Sequence, residues 1–212
     1  VPTNGASLSW EMAATGNDYT ALTVVQAKAV TGALNGPSSY SISDSYVGLS
    51  GALTDSVVTS ALSVTATGLT PAQANTIADS EHLDNFTLNQ PSYTGSDAVS
   101  VADAAAFVHT KNDTAVNAYD LSDTATKIAD AVNASVVSGA GNVHASDATL
   151  SQAINFSTDD YIDSYGMAQS SFSGIDVDQA AALVSSKNQD TVSISVTDSA
   201  ADLEGVIGVL KD

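Results

Sequence analysis

The chain has 212 residues, enough for one sizeable core or two small ones, and 43% of them are apolar, which argues against a disordered chain. Its 24 acidic residues stand against five lysines and no arginine; the net charge of −19 repels phosphate backbones and anionic headgroups and leaves no guanidinium to clamp an anionic substrate. The absence of cysteine excludes thiol nucleophiles, disulfides and thiolate metal sites together, and no run approaches the ~18 apolar residues of a membrane-spanning helix.

The first residues, "VPTNGASLSW", carry neither Met nor a charged leader and read as processed or excised. "SWEM" (9–12) returns as "NFTL" (85–88) and "SYGM" (164–167), which puts Trp10, Phe86 and Tyr165 at one structural position. Next, "VQAKAVTGALN" (25–35) reads as a helix and recurs at 102–112 and 178–188, with Gln26, Asp103 and Gln179 in register. "YSIS" then alternates as a strand and runs into Asp44, an expected helix N-cap followed by Leu49 and Leu53 on one helix face. The same phrase returns around Asp123 with Ile128 and Val132, and around Asp198 with Leu203 and Ile207.

"SVVTSALSVTAT" (56–67) reads as a strand, and "LTPAQANTIA" (69–78) as a helix with Pro71 in its first turn. From Ser56 the chain matches itself at an offset of 79, without a gap, as far as Asp97 and Asp176; 14 of 42 positions are identical. The repeat is therefore about 77 residues long. Residues 1–21 read as the tail of a partial repeat, 22–97 as repeat 1, 98–174 as repeat 2 and 175–212 as a partial third, all in one repeat domain.

Helices are expected to begin near residues 24, 45, 70, 102, 124, 149, 178 and 199, one strand and one helix per coil. Strands alternating with helices imply a parallel sheet. The expected fold is α/β: a repetitive βα solenoid with a parallel sheet and short Ala-rich helices. A compact doubly wound α/β domain is the alternative.

Candidate sites are few. Glu81 and Asp84 recur as Asp160 and Asp163, with Asp159 beside them, and such carboxylates are candidate calcium ligands; they lack the order of an EF-hand loop. A polar, solvated helix end is the competing reading. His82, His109 and His144 have no partners at ligand spacing, and Ser185 replaces His109 in the matching copy. No nucleophile elbow is present, and the Gly stretch "SGAGN" (138–142) has no following Lys to make a phosphate loop. Sequons occur at Asn85, Asn112, Asn133 and Asn155, a number that a Ser/Thr-rich chain produces by chance.

"SVTDSAADLEGVI" (195–207) resembles repeats of large secreted and surface-layer-like bacterial proteins, which also carry a strand, Asp-Ser/Thr-Ala and a spaced Leu/Ile helix. The resemblance implies an extracellular structural or adhesive protein, and many such proteins bind calcium. The expected function is a non-enzymatic structural subunit of an extracellular filament, surface layer or adhesive array. A glycan- or surface-binding adhesin segment is the alternative. Because the chain starts and stops inside a repeat, copies are expected to polymerise head to tail, with Trp10 and Met12 at the interface. Nucleic acid and membrane spans are not expected partners.

Overall fold

The computed structural model describes residues 18–33 and 36–206. The fold is mixed α/β, with parallel strands in several small sheets, and it divides into two compact units.

The first unit runs to Pro91 and includes Ala105–Val116. It contains β1 (Asp18–Leu22), α1 (Val24–Thr31), β2 (Ser39–Ser45), α2 (Tyr46–Leu49), α3 (Ser56–Thr59), β3 (Val64–Leu69), α4 (Pro71–Ile77) and β4 (Asn85–Leu88), with a 3₁₀ turn at Ala105–Val108. Its four strands lie in the order β1-β2-β3-β4, all parallel, so neighbours in space are neighbours in sequence. Alternation decides which face is buried. Tyr40 and Ile42, Val64 and Ala66, and Phe86 and Leu88 point into the core. Ser41, Ser43, Thr65 and Thr87 lie on the other face, half-buried. Ala27, Leu49, Val58, Ala74 and Ile77 close the core from the helices. Small Ala side chains let helix and sheet approach closely, so a core poor in aromatics still packs.

The second unit comprises Ser92–Ala104 and the chain from Asn117. It contains β5 (Ser92–Tyr93), a 3₁₀ turn at Gly95–Asp97, α5 (Val101–Ala104), β6 (Ala118–Tyr119), β7 (Leu121–Thr124), α6 (Ala125–Ala131), α7 (Ser135–Ser138), β8 (Val143–Ala148), α8 (Leu150–Thr158), β9 (Ser164–Met167), β10 (Ser171–Ile175), α9 (Val177–Leu183), β11 (Ser193–Val196) and α10 (Ala200–Val206). β5 pairs with β6, β7 with β8 and β9, and β10 with β11, again all parallel.

All eight expected helix starts fall within one residue of α1, α2, α4, α5, α6, α8, α9 and α10. Three details differ. First, Ser56–Thr59 and Ser135–Ser138 are single helical turns, and the strands start only at Val64 and Val143. Their β-branched valines suggest a strand, but Val57, Val58, Val136 and Val137 are buried better from a helical turn. Second, the residues before α2, α6 and α10 are Ser45, Thr124 and Ser199, one past each Asp. The Asp44, Asp123 and Asp198 carboxylates are not caps of their own helices. Third, the gapless match beyond Tyr93 is broken. Both Ser92–Ala118 and Val99–Leu121 pair across the strands, so Gly95–Asp97 is a three-residue insertion.

Four strand-to-helix junctions share one device. Ala21 (φ 55°), Gly68 (φ 67°), Asp147 (φ 55°) and Gly174 (φ 67°) are left-handed, each two residues before a cap: Thr23, Thr70, Thr149 and Asp176. Register shifts in the sheet mark the same places, so each strand turns into its helix through a bulge. Each cap then forms a reciprocal capping box with the Gln three residues on.

Candidate functional site

The side chains that recur are built into the backbone. Asp44 Oδ2 accepts from the amide of Val24, 2.9 Å away, while Oδ1 accepts from Ser45 at 2.8 Å. Asp123 does the same for Val101 (3.1 Å) and Thr124 (2.8 Å), and Asp198 for Val177 (3.0 Å) and Ser199 (2.7 Å). Val24, Val101 and Val177 open α1, α5 and α9, where amides have no partner inside the helix. Each Asp thus joins its strand end to the start of a helix that precedes it in the chain. The Val177 amide, followed by the Ser199 amide, holds the Asp198 carboxyl below the usual carboxylate value. Lys127 Nζ sits 3.3 Å from Asp123 Oδ1. At Gly48 a side chain would collide with the Asp44 carboxylate.

The candidate calcium ligands belong partly to the same scheme. Asp84 Oδ2 accepts from Val64 N (2.7 Å) and Asp163 Oδ2 from Val143 N (2.8 Å), clamping the first residues of β3 and β8. Asp159 Oδ1 accepts from Tyr161 N (2.8 Å). Glu81 and Asp160 are exposed. Among the described residues no three carboxylates or histidines are grouped to hold a metal ion.

Tyrosine hydroxyls recur in a second set of equivalent contacts. Tyr40 donates to Val57 O (2.7 Å), Tyr119 to Val136 O (2.8 Å) and Tyr165 to Ala182 O, each 17 residues ahead. Burial pushes all three hydroxyls above their ordinary pKa. Lys111 and Lys187 hold one equivalent place, with Nζ donating to Ser80 O (2.7 Å) and Asp159 O (2.6 Å). Asn112 and Asn188 follow, donating to Phe107 O and Leu183 O.

Asp120 was not singled out by any repeat. It takes the place of Ser41, whose hydroxyl accepts from Ala21 N. Asp120 Oδ2 accepts from Gly95 N (2.8 Å) and Oδ1 from Asn142 Nδ2 (3.0 Å), which anchors the inserted turn. It is buried, and the Gly95 amide outweighs burial to lower its pKa. The glycines of "SGAGN" make room here. A Cβ on Gly139 would come within 2.7 Å of the Tyr119 hydroxyl, and one on Gly141 within 3.2 Å of Asp120 Oδ1.

His144 Nδ1 meets Ser164 Oγ at 2.8 Å across the β8–β9 pair, a contact set by strand register and invisible in linear spacing. His109 lies 3.6 Å from Asp79 and against the Phe86 ring, and His82 is exposed. Trp10 and Met12 lie outside the described residues. Phe86 and Tyr165, which share their repeat position with Trp10, are fully buried in β4 and β9.

The second unit also contains an open cleft of about 400 Å³. Ala148, Leu150 and Ile175 form apolar walls, Phe172 is half-buried in it, and Gln169, Ser171 and Ser173 reach it from exposed positions. A smaller depression of about 320 Å³, lined by Met167, Ser170, Asp190 and Thr191, shares Ala168 and Gln169 with the cleft. Asp190 there is engaged, its Oδ2 accepting from Met167 N. Comparison of the chain with protein-family models, curated proteins and solved structures found no match.

Proposed function

We propose that the protein is a non-catalytic structural module of the cell exterior, a subunit of a filament, surface layer or adhesive array. In this reading the βα coils stack as a solenoid within each unit, and copies associate head to tail. The observation that carries it is the carboxylate ladder: three equivalent Asp residues, 79 and 75 positions apart, each bind the helix start of the preceding coil. Residues repeated in this way serve coil-to-coil adhesion, the need of a stacked architecture. The strongly acidic, Cys-free composition fits an exterior location, where calcium would also be at hand.

Electron microscopy of the purified protein tests the reading. Regular polymers are expected at high protein concentration with calcium. A strictly monomeric protein under those conditions overturns it. Deleting residues 1–14 tests the head-to-tail contact, because polymers that form equally well without the segment remove Trp10 and Met12 from the interface.

A further inference from the structure

We infer that the cleft beside Phe172 is a binding site for an uncharged saccharide. This goes beyond the structural reading above and is independent of polymer formation. Three observations converge on it.

The first is a difference between equivalent coils. Tyr93 and Phe172 occupy one register position, paired with Tyr119 and Ile194 on the next strand. In the earlier copy the Gly95–Asp97 turn follows, Asp120 anchors it, and Tyr93 is only 3% exposed. The later copy lacks those three residues; Phe172 keeps an accessible ring and the cleft of about 400 Å³ lies against it.

The second is chemistry. Sugar rings present an apolar C–H face and a rim of hydroxyls. An aromatic ring flanked by Leu150 and Ile175 suits the face, and the Gln169 amide with the Ser171 and Ser173 hydroxyls suits the rim. Among the described residues these three side chains have no hydrogen-bond partner, so their donors and acceptors remain for a ligand. The Thr149 hydroxyl is engaged with Gln152 and serves as wall.

The third is charge. No ionisable side chain lines the cleft, in a chain of net charge −19. An anionic ligand meets long-range repulsion, and no carboxylate lines the cleft itself to hold a cationic one, so its lining suits an uncharged polyol.

The test is saturation-transfer NMR of the full chain with three neutral probes: cellohexaose, chitohexaose and mannohexaose. At least one should receive saturation, with the strongest transfer to ring C–H protons. Phe172→Ala should weaken that binding about tenfold, a loss typical of one aromatic contact. Gln169→Ala, at an exposed position that leaves the core intact, should weaken it less, with an unchanged melting temperature. Silence from all three probes overturns the site, as does binding that both variants retain. Tighter binding of a sulfated hexasaccharide overturns the uncharged class. Polymer formation in micrographs is scored separately, so loss of either reading leaves the other standing.

Discussion

At the residue scale, the left-handed junctions make opposite demands on equivalent positions. Gly68 and Gly174 adopt φ 67° without a Cβ, whereas Ala21 and Asp147 hold φ 55° with one. A left-handed L-residue costs roughly 1–2 kcal/mol. Gly68→Ala and Gly174→Ala should therefore destabilise by about 1 kcal/mol, and Ala21→Gly and Asp147→Gly should gain up to a similar amount, less the unfolded-state entropy of glycine. Urea midpoints at constant slope read all four. Gly48→Ala belongs to another class. It should cost more than an exposed helix substitution, because its methyl displaces the Asp44 carboxylate.

At the element scale, the carboxylate clamps distinguish structural from open acids. Asp123→Ala leaves the Val101 amide of α5 without its acceptor and should cost about 1–3 kcal/mol. Asp160→Ala, at an exposed position, should be nearly neutral. Equal effects in chemical denaturation would remove the distinction. The clamps also mark the limit of what the sequence reveals. Helix starts were legible because their signals, Pro71 in a first turn and apolar residues spaced four apart, act locally. The recurrence of Asp44, Asp123 and Asp198 was legible too, but its role was not: a cap accepts from its own helix, and these carboxylates reach a helix that begins 20 to 22 residues earlier. The same holds for His144 and Ser164, brought together by register, and for Asp120, which answers an insertion that the gapless alignment concealed. The single turns at Val57 and Val136 were hidden because β-branched pairs favour strands until tertiary burial decides otherwise.

At the scale of the whole molecule, two hydrogen-bonded carboxylates and three buried tyrosine hydroxyls set a pH window. Asp120 and Asp198 have lowered values in the fold, so their contribution is present above the ordinary 3.8 and is lost as pH falls through the folded values. Tyr40, Tyr119 and Tyr165 have raised values, so theirs is present below the ordinary 10.0 and is lost as pH rises through the folded ones. The melting temperature should be level from about pH 5 to 9 and fall on both sides. Tyr119→Phe and Tyr165→Phe should soften the alkaline limb, and an unchanged limb would break the assignment. If calcium binds Glu81, Asp160 or their neighbours, chelator should lower the melting temperature. Overlaid curves would dispose of that role.

The turn at Gly95–Asp97 has a consequence for what the fold tolerates. On either side of it the pairings of Ser92 with Ala118 and Val99 with Leu121 persist, so this connection has lengthened by three residues without the flanking strand pairings losing register. Gly95 is left-handed with open space where a Cβ would point, and the buried Asp120 anchors the turn's base, leaving its tip at Ser96 exposed. This is a natural graft point. A short epitope placed after Ser96 would be displayed on a scaffold whose strands have already accommodated extra length there, giving a route to decorating the molecule without redesigning it.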